Sequence, residues 1–154
     1  MIIVFTIVSL LLDGILSLYL SFIPYNLSIF IPNFTICTVI ISFYLFKNKK
    51  LYLLYIMITS LIYDMLYTGI FLYTSLIYLI MYFIFIKFYK KFSIINIFLY
   101  ISIYNILNYL IYISIFKYTS IFILIKVIYS SVILNVLYSY ILSKLFYKKL
   151  AVRC

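Results

Sequence analysis

The stretch that decides the fold is residues 51–86, LYLLYIMITSLIYDMLYTGIFLYTSLIYLIMYFIFI, which contains one charged residue, Asp64. A helix needs roughly 20 apolar residues to cross the hydrocarbon core of a bilayer. The stretch is far too long for one crossing, so it predicts two helices joined in a hairpin. Only Asp64 and the pair Thr68-Gly69 interrupt its apolar pattern, and we place the turn there.

The composition of the whole chain is that of a membrane protein. Its 154 residues are 69% hydrophobic and 9% charged, with a mean hydropathy of +1.32. A soluble domain of this size cannot bury so much apolar surface, so we predict one integral membrane domain over residues 1–154. The net charge of +10 does not indicate nucleic-acid binding, because the basic residues form short clusters between apolar runs. We expect anionic lipid headgroups as their neighbours.

Six apolar runs predict six transmembrane helices, at 2–22, 29–46, 51–66, 70–86, 94–116 and 119–142. Backbone amides in lipid must be bonded within their own helix, so we predict an all-α bundle. Basic residues cluster after the second, fourth and sixth runs, at Lys47, Lys49, Lys50, Lys87, Lys90, Lys91, Lys144, Lys148, Lys149 and Arg153. The connections on the opposite side carry only Lys117, so the positive-inside rule places both termini in the cytoplasm.

A polar face runs along the first predicted helix. Asp13 shares it with Thr6, Ser9, Ser17 and Ser21, at spacings of three or four residues. Small polar residues on one face favour close contact between helices in lipid. The face therefore predicts packing against another helix, either in this chain or in a partner.

Lys126 is the one basic residue inside a predicted span. Spans one and six run antiparallel, and at 1.5 Å per residue Asp13 and Lys126 lie ~14 Å and ~11 Å from the outer ends of their helices. We therefore predict an ion pair between them, which would relieve two unfavourable burials. The alternative is that Lys126 extends outward and that Asp13 is protonated or bonded to neighbouring serines.

Asp64 lies near the outer end of the short third span, beside a turn where we expect water to reach it. Three roles are open for it: capping the fourth helix, binding Lys117, or meeting a partner protein. The chain has no histidine, and it shows no metal, phosphate or nucleophile motif. One carboxylate in that setting is poor material for catalysis, so we predict a chain without catalytic, cofactor or metal sites, and not an enzyme.

Spans five and six carry asparagines, at Asn105, Asn108 and Asn135. Asparagine in lipid needs a hydrogen-bond partner for its amide. We expect these faces to point into the bundle, for packing in the first place and for a substrate cavity as the alternative.

Residues 59–71, TSLIYDMLYTGIF, resemble the family of the rod shape-determining protein MreD. In that family a helix ends at an aspartate, followed by a few apolar residues and a glycine that opens the next helix. Pro32-Asn33-Phe34 is similar to the Pro-Asp-hydrophobic entry of the second helix, with Asn33 in place of the acid. The resemblance marks Pro32, Asp64 and Gly69 as family positions.

This resemblance implies a non-enzymatic scaffold in the bacterial cell (inner) membrane. Such a protein binds MreC and, through it, MreB, RodA and a penicillin-binding transpeptidase, and thereby controls cell shape and lateral peptidoglycan synthesis. The MreD family is similar in fold to the six-helix substrate-binding subunits of energy-coupling-factor vitamin transporters, so such a subunit is the alternative function. Against it, the first span lacks an Ala-x-x-x-Ala pattern, and the external connections are short for a lid.

Overall fold

The computed structural model describes residues 2–21, 33–88, 92–116 and 121–146. Within these ranges every regular element is helical, which confirms the all-α class. The elements are α1 (Ile2–Ser21), α2 (Phe34–Leu45), α3 (Lys49–Tyr63), a π-helical turn (Asp64–Thr68), α4 (Tyr73–Lys87), α5 (Ile94–Phe116) and α6 (Ile121–Leu145).

Helix α3 continues into the π turn without a break. Among the described residues, this continuous helix, Lys49–Thr68, is the one that is long and apolar enough to cross a membrane. Shorter apolar helices occupy Ile2–Leu18, Phe34–Leu45, Tyr73–Lys87 and Ile95–Ile111. The structure is thus compatible with a membrane location, and the six crossings stay a prediction.

The hairpin expected within residues 51–86 is present. The N–H of Gly69 donates to the carbonyl oxygen of Asp64 at 3.2 Å and ends the π turn. Gly69 has a φ of 64°, a left-handed conformation that glycine adopts readily. Leu72 has a φ of 65°, which a residue with a side chain rarely adopts. The fourth predicted run begins at residue 70, whereas α4 begins at Tyr73, because left-handed residues interrupt the helix until then.

Helix α2 is shorter than predicted and is buried on all sides. Asn33 has φ −135° and ψ 60°, so the helix begins at Phe34, inside the predicted run of 29–46. Every side chain from Phe34 to Tyr44 is buried, against α1, α3, α5 and α6. The 12 residues of α2 make about 18 Å of helix. This short helix forms the centre of the bundle.

Aromatic rings connect α2 to its neighbours. The ring of Phe43 lies 5.2 Å from that of Tyr52 in α3 and 5.1 Å from that of Phe85 in α4. Such ring pairs contribute about 0.5–1.5 kcal/mol beyond the area that they bury. The largest fully buried side chains are Tyr52, Tyr78, Tyr104, Phe43 and Phe85. Tyrosine and phenylalanine are therefore the largest side chains in the described core.

The outside of the bundle exposes large apolar side chains. On α1 these are Ile3, Val4, Ile7, Leu11, Ile15 and Leu18. On α3 they are Leu51, Leu54, Ile58 and Ile62. Soluble monomers rarely expose apolar surfaces of this extent. Helix α1 thus has the polarity of a lipid-facing helix, with Thr6, Ser9 and Asp13 buried and its large apolar residues outward.

Candidate functional site: two carboxylate clasps

The carboxylate of Asp13 caps the N-terminal end of α2. Its Oδ1 accepts a hydrogen bond from the backbone N–H of Phe34 at 2.7 Å. Its Oδ2 accepts from the backbone N–H of Thr35 at 2.9 Å and from the hydroxyl of Thr35 at 2.6 Å. The first N–H groups of an α-helix have no acceptor within the helix, so the carboxylate satisfies them. We call this contact the Asp13 clasp.

The carboxylate of Asp64 caps α4 in the same way. Its Oδ1 accepts from the backbone N–H of Thr74 at 2.9 Å and from the hydroxyl of Thr74 at 2.7 Å. Its Oδ2 accepts from the N–H and the hydroxyl of Ser75, both at 3.4 Å. The hydroxyl of Thr68, one turn on, adds a bond to Oδ1 at 3.1 Å. We call this contact the Asp64 clasp.

Capping of the fourth helix was one of the three roles left open for Asp64. The expectation that water reaches this carboxylate is wrong, since Asp64 is only 2% exposed. The π turn and the start of α4 together cover it. Its neighbours replace the water with hydroxyl and backbone donors.

Both clasps rest on the same physical chemistry. In each, a threonine donates its backbone N–H and its hydroxyl to an aspartate of the preceding helical segment. The helix dipole favours negative charge at the N-terminus, and hydrogen bonds to a carboxylate are stronger than neutral ones. A buried carboxylate without such donors is costly. The clasps therefore join α1 to α2 and α3 to α4 by equivalent contacts.

The polar face of α1 contacts other helices of the same chain. The hydroxyl of Thr6 shares a hydrogen bond of 2.6 Å with that of Tyr55 in α3. The hydroxyl of Ser9 shares one of 2.8 Å with that of Tyr138 in α6. Ser17 is exposed and bonds within α1, to the carbonyl oxygen of Gly14 at 2.9 Å. The side chain of Ser21, the last residue of the predicted face, lies outside the described residues.

Tyr67, in the π turn, packs onto α1 at Gly14. Its hydroxyl donates to the carbonyl oxygen of Leu10 at 2.5 Å. A Cβ atom added to Gly14 would lie 2.6 Å from the Tyr67 hydroxyl oxygen, which is closer than such atoms approach. The missing side chain at Gly14 therefore makes the space for the phenol ring. Sequence reasoning missed this contact. The sequence feature that points to it is Gly14, directly after Asp13, because a glycine in a helix leaves room for a neighbouring side chain.

A second tyrosine connects α3 to the start of α2. The hydroxyl of Tyr63 donates to Oδ1 of Asn33 at 3.0 Å. The backbone N–H of Asn33 donates to Oδ1 of Asn135 in α6 at 3.1 Å. The thiol of Cys37 donates to the carbonyl oxygen of Asn135 at 3.2 Å. The N-terminal end of α2 is thus held by three helices through buried polar contacts.

The asparagines of α5 and α6 lie against the interior. Asn105 and Asn135 are buried. Oδ1 of Asn108, which is half-buried, accepts from the hydroxyl of Tyr73 at 2.5 Å. These contacts match the packing role that we expected for the two helices.

Two further sequence predictions fall outside the described residues. They are Pro32 and the side chain of Lys126. The ion pair between Asp13 and Lys126 therefore stays a prediction. Both carboxylate oxygens of Asp13 already have acceptor roles at α2, which the sequence did not lead us to expect.

The clasps are suited to joining helices. Every oxygen of the two carboxylates accepts at least one hydrogen bond from a helix N-terminus. Among the described residues, no group of three His, Cys, Asp or Glu side chains could hold a metal ion.

No known protein family, characterised protein or solved structure matches the chain.

Proposed function

We propose that this chain is a multi-pass scaffold of the bacterial cell membrane, of the MreD type, which binds MreC in the rod complex. The observation that carries the proposal is the place of the family-like residues in the fold. The stretch that resembles MreD, residues 59–71, forms the end of α3, the π turn and Gly69 with its left-handed backbone. Asp64, the acid of that stretch, caps the next helix.

The other family-like stretch supports the same reading. Asn33 and Phe34 stand at the start of α2, where Asp13 binds the N–H of Phe34. Tyr63, the neighbour of Asp64, donates to Asn33 at 3.0 Å. The two stretches that resemble MreD are thus in direct contact, as parts of one structural unit would be.

The apolar exterior supports a membrane location. Exposed leucine and isoleucine side chains on α1 and α3 would be unfavourable in water, at about 25 cal/mol per Å² of apolar surface. In lipid they cost nothing of this kind. We infer that these faces contact acyl chains or the transmembrane helix of a partner.

The basic residues support the proposed orientation. Phe43 and Phe85 stand close in sequence to the lysine clusters at 47–50 and 87–91, and their ring centroids lie 5.1 Å apart. Phe5, near the N-terminus, contacts Phe146, near the basic C-terminal cluster, at 5.2 Å. These contacts bring together residues that stand next to basic clusters in the sequence, as we expect if the clusters share a cytoplasmic face.

In this proposal the chain works by assembly, and no bond is made or broken. The clasps and the aromatic core fix the positions of the helices relative to one another. The outer faces then hold MreC in register with the cell-wall synthases. The alternative, a vitamin-binding subunit, needs an internal cavity; in this bundle the rings of Tyr52, Tyr78 and Tyr104 are fully buried between the helices.

A pull-down from native membranes tests the proposal. Affinity-tagged chain is extracted in mild detergent, and co-purifying proteins are identified by mass spectrometry. We expect MreC to be enriched with the wild-type chain and reduced with Asp64→Asn, while Met65→Ala, at an exposed neighbouring position, retains it. A partner list free of cell-wall proteins would overturn the proposal, and a co-purified vitamin would favour the transporter subunit.

A further inference from the structure

The two clasps are connected to each other by a closed path of contacts. From Asp64 the path follows the π turn to Tyr67, whose hydroxyl binds the carbonyl oxygen of Leu10. Leu10 and Gly14 lie on either side of Asp13 in α1, and Asp13 binds Phe34.

The return path runs through Tyr63. From Phe34 it passes to Asn33 and then to the Tyr63 hydroxyl at 3.0 Å. Tyr63 is the residue before Asp64, so the ring of contacts closes there. The rings of Tyr63 and Tyr67 also contact each other edge to face, with centroids 4.9 Å apart.

The π turn is what allows this path. In a π turn the hydrogen bonds reach one residue further than in an α-helix, which widens the turn. The hydroxyl of Thr68 and the N–H of Gly69 both bind the carbonyl oxygen of Asp64, at 3.2 Å in each case. These two bonds are accepted at the backbone carbonyl of Asp64. The carboxylate of Asp64 reaches the π turn through the hydroxyl of Thr68, which lies 3.1 Å from Oδ1. Thr68, the neighbour of Tyr67, therefore links the cap of α4 to the position of Tyr67.

We propose that Tyr67 is a positioning residue that couples the two clasps, so that release of the Asp64 clasp loosens the Asp13 clasp. The carboxylate of Asp64 accepts from the Thr68 hydroxyl in the π turn. The π turn places Tyr67 against Gly14, and the Tyr67 hydroxyl binds α1 beside the start of α2. The coupling is a property of this chain's own contacts and does not depend on the proposed function.

Cys37 supplies a reporter far from Asp64. It lies in the first turn of α2, two residues after Thr35, which donates to Asp13, and it is fully buried. The chain has two cysteines, so Cys154→Ser leaves Cys37 as the single thiol. The rate at which N-ethylmaleimide modifies Cys37 in the purified full chain then measures how often the start of α2 opens.

The test is a double-mutant cycle on that rate. We expect Asp64→Asn to raise it roughly tenfold, because the amide has one acceptor oxygen where the carboxylate has two. We expect Tyr67→Phe to raise it roughly threefold to tenfold, because it loses the bond to Leu10. In the double variant the rate should stay within about twofold of that of Asp64→Asn alone. Independent clasps would instead give fold-changes that multiply, or no effect of Asp64→Asn on Cys37, and either result would overturn the coupling.

Gly14→Ala tests the same contact while both carboxylates stay intact. Alanine in place of glycine ordinarily stabilises a helix. Here its Cβ would displace the Tyr67 ring, so we expect faster modification of Cys37, by about the same factor as in Tyr67→Phe. Leu66→Ala, at the exposed residue before Tyr67, is the matched control and should leave the rate unchanged. A rate for Gly14→Ala at or below that of the wild type would also overturn the proposal.

Discussion

The Asp13 clasp and the Asp64 clasp bind helix N-termini with the same groups, yet they close different lengths of chain. Asp13 bonds to residues 21 and 22 positions away, in a separate helix. Asp64 bonds to residues 10 and 11 positions away, across its own hairpin turn. The cost of closing a loop rises only slowly with its length, so chain length alone does not rank the two contacts.

The two clasps differ in how many other acceptors lie within reach of their donors, and we expect this number to determine which clasp contributes more to stability. The hydroxyl of Thr74 also lies 3.0 Å from the carbonyl oxygen of Ser60, which is an alternative acceptor for its proton. The hydroxyl of Ser75 also shares a hydrogen bond of 2.9 Å with that of Ser60. Among the described residues, the N–H groups of Phe34 and Thr35 and the hydroxyl of Thr35 donate to Asp13. We therefore expect loss of the Asp13 carboxylate to be more destabilising than loss of the Asp64 carboxylate.

Asp13→Ala should have the largest effect. It leaves two buried N–H groups and one hydroxyl without their acceptor, so we expect a loss of about 3–5 kcal/mol in the free energy of unfolding. Thermal unfolding in detergent, followed by circular dichroism, measures it. Ser17→Ala, one turn further along the same face but exposed, should change stability by less than about 0.5 kcal/mol. Equal stability of the two variants would contradict the ranking.

Asp64→Ala should cost less, about 2–3 kcal/mol, because Ser60 retains bonds to the hydroxyls of Thr74 and Ser75. The same unfolding experiment compares it with Asp13→Ala. The control is Met65→Ala, at the neighbouring exposed residue. If Asp64→Ala is the more destabilising of the two aspartate substitutions, the role of the substitute acceptors is refuted.

Thr35→Val and Thr74→Val sharpen the comparison at the donors. Valine keeps the shape of threonine but loses the hydroxyl, so we expect Thr35→Val to cost about 1–2 kcal/mol. In an Asp13→Ala background its cost should fall, since its acceptor is already gone, and the difference is the coupling energy of the pair. Thr74→Val with Asp64→Ala gives the matched cycle. A coupling energy near zero at Thr35 would show that its hydroxyl does not support the Asp13 clasp.

Substitutions in the turn between the π helix and α4 should have the smallest effect on the free energy of unfolding. Nothing lies within 4 Å of a Cβ built on Gly69, so Gly69→Ala reports only the left-handed backbone. We expect a loss of about 1 kcal/mol in unfolding free energy. Leu72→Gly, at the other left-handed residue, should be neutral or slightly stabilising. A loss for Leu72→Gly as large as that for Gly69→Ala would mean that the leucine side chain, and not its backbone, shapes the turn.

The hairpin and its helices follow from the sequence, because length and hydropathy bound them directly. The start of α4 does not, since Leu72 is a residue that local preferences exclude from a left-handed conformation. The capping of α2 by Asp13 also escaped prediction. The distance of each residue from the outer end of its predicted helix identified Lys126 as a candidate ion-pair partner of Asp13. That distance does not show which helix N-terminus lies beside Asp13.

The aromatic contacts were the least predictable part of the site. The 20 tyrosines of the chain look alike in sequence, and nothing distinguishes Tyr63 and Tyr67 from the rest. Their roles arise from the width of the π turn and from the bare backbone at Gly14. Only the fold brings these features together.

In both clasps the acceptor precedes its donors along the chain: Asp13 comes before Phe34 and Thr35, and Asp64 comes before Thr74 and Ser75. A ribosome makes the chain from the N-terminus, so each carboxylate has been synthesised before the helix start that it binds. Helix α2, too short at 12 residues to cross a bilayer on its own, then emerges toward an anchor that already exists. The order of synthesis thus matches the order in which the contacts can form.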